Sequence, residues 1–413
     1  MIKNAGILAL IVCLLLVLLS PGLVQARSKL AILDSSAKAE FPFKLNFNLS
    51  AESDVNIIDI RLHYVVDQAS SAQVISEVYI EFVPDTTVDV TWTWDMRKTG
   101  GLPPGSNVDY WWVVEDADGE KVEADQARIQ FDDNRYYWYK LNEGNVTIYW
   151  HRGTRSFARE LMAAAQQALT RLTEDTGAYL EKPVKLYIYA NAQDLREAMI
   201  YPQEWTGGVA FTRHGVIAIG IASGNLDWGK RAVAHELAHL VNHQMTFNPY
   251  GDLPRWLDEG LAMYAEGPLK LEFEYFLDEA VTEESLIPVR SLSSPFSAYA
   301  GQSYLSYAQS YSLVEFLIDN YGQEKMLQLL NTFKRGIDYD TALEKVYGFD
   351  MDGLDALWRD YIAEQYQHLT VVTTAVRVTK IPDPVIAGLA VLATAFLLAL
   401  GLAAERWAWR RGR

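Results

Sequence analysis

His235-Glu236-Leu237-Ala238-His239 constrains what this chain can fold into more tightly than any other segment. Two histidines at i and i+4 share one face of a helix, so both imidazoles reach a single cation only if the segment is helical. Glu236 then points to where a metal-bound water would sit. The neighbours agree: Val233, Leu237, Leu240 and Val241 form an apolar stripe, Asn225 or Asp227 stands where the helix would be capped, and a strand-like run, Val216 to Ile219, precedes it. A catalytic zinc takes three protein ligands and keeps one open position, so the pair requires a third donor. Glu259 is the best candidate, because Leu261, Ala262, Tyr264 and Ala265 after Gly260 read as a second helix that would present it to the same site.

The segments AVAHELAHLVNH and PRWLDEGLAMYAEG together resemble the gluzincin branch of zinc peptidases, most closely the peptidase MA-like metallohydrolases. The resemblance implies that His235, His239 and Glu259 hold Zn2+ and that Glu236 is the general base. It covers about residues 140 to 366. Two departures matter. The related zinc aminopeptidases carry a glutamate upstream that grips a substrate amino terminus, whereas Thr206-Gly207-Gly208-Val209-Ala210-Phe211 has no acid, which argues against aminopeptidase activity. Thermolysin-type enzymes place an aspartate four residues after the third ligand; Met263 stands there, so the histidines need another orienting group, for which Asp258 is a substitute. His243 lacks the partners of a three-histidine site and reads as a structural or surface residue. The segment beginning Tyr307-Ala308-Gln309 is similar to the aminopeptidase segment that opens on the oxyanion tyrosine, which puts that role on Tyr307, with Tyr304 and Tyr311 as neighbouring alternatives.

The ends of the chain point to a membrane. Residues 1–26 read as a signal peptide: Lys3, an apolar run from Ala5 to Leu19, a Ser20-Pro21-Gly22 break, and Val24-Gln25-Ala26 as cleavage site. Cys13 is the one cysteine, so the mature chain has neither disulfides nor a thiol nucleophile. Val385 to Ala404 is apolar but for Thr394; at about 1.5 Å per residue it spans roughly 30 Å, the bilayer's hydrocarbon core. Arginines and tryptophans follow it in a tail, 405–413, suited to the cytoplasmic side. The expectation is a single-pass protein of the cell membrane with its catalytic domain extracytoplasmic. Subtracting the +1 of Lys3 and the +3 of the tail from the formal charge of −17 leaves −21 on residues 27–384, which argues against nucleic acid as a partner.

Between the ends the pattern changes once. Residues 38 to 133 alternate apolar and polar in short runs (Phe43-Leu49, Ile58-Tyr64, Val88-Trp94, Val108-Val114) parted by turn signals such as Pro103-Pro104-Gly105, which predicts an immunoglobulin-like β-sandwich over 27–135 acting as a spacer or packing element, with no partner of its own identified. From 136 the pattern mixes helix and strand. Val146 to Trp150 is a strand, Ser156 caps a helix ending before Gly177, Val184 to Ala190 is a strand, and Asn191 caps the next helix. The resemblance also implies that the strand just before the metal helix forms the sheet edge that pairs with a peptide. The expected fold is α+β: an all-β sandwich, a zincin-like (thermolysin-like) catalytic domain over 136–370, a linker over 371–384, and a C-terminal transmembrane helix. The function that follows is zinc-dependent cleavage of a peptide or protein substrate. A catalytically silent binding scaffold, or a zinc hydrolase of a non-peptide amide or ester, are the competing readings.

Overall fold

The computed structural model describes residues 30–378 except 71, 204, 205 and 298. The expected signal peptide, transmembrane segment and tail lie outside the described residues. Among the described residues no helix is long and apolar enough to cross a membrane.

The amino-terminal part is one sheet of seven strands: β1 (Ala31–Glu40), β2 (Lys44–Val66), β3 (Ser76–Tyr79), β4 (Asp85–Asp95), β5 (Ser106–Asp116), β6 (Lys121–Glu123) and β7 (Ala127–Phe131). The runs Phe43-Leu49 and Ile58-Tyr64, read from sequence as separate strands, are joined in the single strand β2, which takes in all of both but Phe43. Its first half pairs with β1 and β4 and its second half with β3 and β5, with the register shifting between Glu52 and Ile57. Phe47 and Tyr64 lie on this one strand with ring centroids 6.3 Å apart, where a straight strand at roughly 3.3 Å per residue would hold them tens of ångströms apart. The sheet therefore folds over on itself and closes a core of Phe47, Leu62, Tyr110 and Trp112.

The second part is built on a five-stranded sheet in the order β11 (Gly208–Phe211), β12 (Val216–Gly220), β10 (Val184–Tyr189), β9 (Val146–Trp150), β8 (Tyr139–Glu143). The strand just before the metal helix, β12, is interior, contrary to the expectation. The edge is β11, which reaches the outside by a hairpin and pairs antiparallel to β12. The helices are α1 (Arg155–Thr176), α2 (Ala192–Glu197), α3 (Leu226–Thr246), α4 (Arg255–Glu266), α5 (Leu271–Thr282), α6 (Ala300–Phe333, broken at Gly322), α7 (Tyr339–Tyr347) and α8 (Met351–Val378). Thr154, not Ser156, caps α1, its side chain accepting from the Phe157 N–H; Asn191 caps α2 as expected, accepting from Asp194 N–H. Helix α8 runs on through residues 371–378, the first part of the expected linker.

Both faces of the second sheet are buried, and period-two alternation divides them. Val184, Leu186, Ile188, Ile217 and Ile219 pack into the helical core, while Tyr187, Tyr189, Val216 and Ala218 pack into the core of the amino-terminal sheet. Polar contacts reinforce this joint: Lys185 Nζ donates to Gly105 O at 2.7 Å, and Tyr189 Oη donates to Asp133 Oδ2 at 3.0 Å. Asp133 is fully buried and takes Arg135 bidentately, at 2.8 and 2.7 Å. The amino-terminal sheet is thus packed onto the back of the second sheet, across from α3.

Candidate metal centre

Helix α3 lies on the helical side of the sheet because its apolar stripe, Val233, Leu237, Leu240 and Val241, is fully buried there. Asn225 stands at its N-cap without a side-chain capping bond, and Asp227 lies in its first turn. Helix α4 packs against α3 and against α6. A Cβ on Gly260 would run into the backbone carbonyl of Ser310, so the residue after Glu259 is glycine to let α4 and α6 approach backbone to backbone.

This packing brings His235, His239 and Glu259 together, with ligand atoms all within 4.8 Å of one another. Glu259 Oε2 lies 3.4 Å from His235 Nε2 and 3.5 Å from His239 Nε2. It is buried without a hydrogen-bond partner, an arrangement that costs free energy unless a further group completes it. The outer ring nitrogens are anchored. His235 Nδ1 meets Glu266 Oε1 at 2.9 Å, and Glu266 is held by Arg231 at 2.8 Å. His239 Nδ1 meets Asp258 Oδ2 at 3.0 Å, and Asn242 donates to Asp258 Oδ1 at 2.9 Å. Carboxylates on both Nδ1 atoms fix the rings and turn both Nε2 lone pairs inward, as a metal requires. The donor set of two imidazoles and a carboxylate, with an unmatched oxygen at its centre, fits a divalent ion such as zinc.

Asp258 therefore occupies the orienting position that the sequence suggested for it. Glu266 and Arg231 were missed. Their signal is spacing: Glu266 is two turns beyond Glu259 on the same face of α4, and Arg231 is one turn before His235 on α3.

Glu236 faces the edge strand. A Cβ on Gly208 would come within 2.8 Å of its Oε1, so a side chain there would displace the carboxylate. Burial pushes the Glu236 carboxyl above its ordinary value, with the positive field of His235 and His239 opposing. Tyr307, on α6, has its ring 6.3 Å from that of His235 and packs edge-on against Phe296. Burial, then the Glu259 charge, raises its phenol pKa and keeps it protonated. The neighbouring tyrosines are engaged elsewhere: Tyr304 stacks on Phe276, and Tyr311 Oη donates to Glu315 at 3.0 Å. His243 packs on Phe247 and lines the cleft.

Two cavities flank the cluster. One of about 520 Å³ is lined by β11 residues, Glu236, His239, His243 and Asp258; the other, of about 860 Å³, is walled by Phe273, Phe296, Tyr304 and Tyr307. Arg255 and Pro295 line both.

A His-Glu-x-x-His helix with a glutamate from the next helix closing the ligand set defines a gluzincin-like metal centre. The family model of the Peptidase MA superfamily matches residues 164–364, the part of the chain that carries this centre. No curated protein matches the sequence. Among solved structures, aminopeptidase A from Legionella pneumophila is 10% identical over 80% of this chain and 50% of its own, with a TM-score of 0.32. OgpA from Akkermansia muciniphila is 8% identical over 25% of this chain and 27% of its own, with a TM-score of 0.19. The chain thus spans half or less of either protein, and neither likeness carries an argument about fold or activity.

Proposed function

We propose that this protein is a membrane-anchored zinc endopeptidase. The observation that carries the reading is the convergence of His235 Nε2, His239 Nε2 and an unpartnered Glu259 Oε2 beside a half-buried Glu236 that lines the cleft. Zinc bound by the three ligands would polarise the scissile carbonyl and acidify a water. The chain's own groups do the rest. Glu236 takes a proton from the attacking water on its carboxylate and passes it to the leaving amine, a task served by a carboxyl whose proton affinity burial has raised. The Tyr307 hydroxyl, protonated at neutral pH, donates to the oxyanion as it forms. Strand β11 offers an unpaired edge beside the cluster, along which an extended peptide can align.

An internal cleavage site is favoured by cavities on both sides of the cluster and by the absence of an acid in Thr206–Phe211, where an aminopeptidase would bind the substrate amino terminus. The anchoring rests on the apolar run Val385 to Ala404 and its basic flank.

The test is cleavage profiling on a peptide library with a protein ending before Pro384, which the anchoring reading expects in the soluble fraction. Glu236→Gln is the control. The wild type is expected to cut internal bonds, and the variant to keep its metal while losing on the order of 10²–10⁴-fold in turnover. A variant as active as the wild type would refute the mechanism. A wild type that binds metal but cuts no peptide would favour a scaffold or a non-peptide substrate.

A further inference from the structure

Glu259 has two oxygens, and its surroundings treat them differently. Oε2 is buried and faces the two histidines. Oε1 is taken by Arg255, whose Nη1 donates to it at 3.1 Å across one turn of α4. Each histidine has its carboxylate anchor, and Arg255 is the equivalent anchor for the third ligand. Arg255 is the first residue of α4, so its side chain leaves the helix at the end that opens on the cleft. Its side chain is 44% exposed and lines both cavities.

A carboxylate can hold a divalent cation through one oxygen or through both. With both, Glu259 would fill part of the coordination shell that a catalytic centre must leave open. We propose that Arg255 is a positioning residue that confines Glu259 to coordination through Oε2 and so keeps open the place where water and the substrate carbonyl meet the metal. The proposal rests on reading the cluster as a catalytic metal centre. A charge-assisted bond between a guanidinium and a buried carboxylate opposes the turning of Oε1 toward the cation. The guanidinium also repels the cation. Removing Arg255 therefore frees a second ligand oxygen and deletes a nearby positive charge, and both changes favour tighter binding in a fuller shell. Loss of a merely structural contact would act in the opposite direction, because a slack ligand binds metal more weakly.

Cobalt(II) is the probe, since its visible absorption is strong in four-coordinate sites and weak in five- or six-coordinate ones. Arg255→Met is expected to bind one cobalt per chain at least as tightly as the wild type in competition with a chelator, with weaker visible absorption. Arg255→Lys keeps the charge and is expected to regain part of that absorption. A spectrum of Arg255→Met that superimposes on the wild type, or a loss of cobalt affinity, would overturn the proposal. A wild-type protein that takes up no cobalt would instead remove the metal-centre reading beneath it.

Discussion

Two buried polar clusters lie on opposite faces of the same five-stranded sheet, and they differ in whether their hydrogen bonding is complete. In the joint between the two parts of the chain, Asp133 Oδ1 accepts from Arg135 Nε and from the Arg135 backbone N–H, while Oδ2 accepts from Arg135 Nη2 and Tyr189 Oη. In the cluster between α3 and α4 the outer histidine nitrogens are matched, but Glu259 Oε2 has no donor and two imidazole nitrogens face it, and behind Asp258 the amide oxygen of Asn242 is also without a partner. A buried network that satisfies itself is a structural joint; one that leaves a carboxylate oxygen unmatched where two imidazole nitrogens converge on it is built for something added. Placing charge in the protein interior is common to both, so burial alone does not distinguish a site from a joint.

The contrast can be broken most sharply at Tyr307, whose hydroxyl is assigned to the reaction and not to packing. Tyr307→Phe is expected to cost about 10²–10³-fold in turnover with little change in KM, while Tyr304→Phe and Tyr311→Phe stay close to the wild type in steady-state kinetics. Comparable mild effects at all three would return Tyr307 to the core.

The joint should respond in the opposite manner. Asp133→Ala strands Arg135 and Tyr189 and is expected to destabilise the fold by about 3 kcal/mol, visible in denaturant unfolding. Metal content and turnover of the folded fraction should be unchanged, because the sheet separates Asp133 from the cluster. A loss of metal in that variant would show that the two faces are coupled.

A smaller effect separates the ligands from their supports. Glu266→Gln is expected to weaken metal binding on the order of 10–100-fold without abolishing it. In the metal-free protein His235 is raised to about 9: burial opposes the shift, but the Glu259 and Glu266 carboxylates beside its two ring nitrogens outweigh it. Below that pH the ring carries a proton that the metal must displace, so affinity should climb as pH rises toward 9. In Glu266→Gln one of the groups holding that proton is neutral, the ring titrates lower, and the climb should end at a lower pH. Chelator competition across pH measures both, and a pH-independent affinity would contradict the account.

Much of the centre was legible in sequence because its chemistry is written in helical spacing. His235, Glu236 and His239 need only one turn of helix to define their relation, and Trp256-Leu257-Asp258-Glu259-Gly260 adds the third ligand with an orienting acid beside it. What escaped depends on how elements meet. The resemblance puts the sheet edge on the strand just before the metal helix, Val216 to Ile219, yet the hairpin through Thr212–Gly215 carries Gly208–Phe211 outside it. The bend in β2 escaped because the apolar alternation lapses between Leu49 and Ile58, and a gap in the pattern reads as the end of one strand and the start of another. The packing of the amino-terminal sheet was left open between spacer and support; the alternation of Val184, Leu186 and Ile188 with Tyr187 and Tyr189 is the pattern of a strand buried on both faces, and it excludes a loose spacer.

The central claim is that the unmatched oxygen of Glu259 marks a bound metal. Metal analysis of the purified wild type beside His235→Ala, His239→Ala and Glu259→Ala tests it most directly, with circular dichroism to show that each variant is folded. The account predicts one zinc per wild-type chain and its loss from all three folded variants. A wild-type protein without metal, or a Glu259→Ala protein retaining a full equivalent, would contradict it.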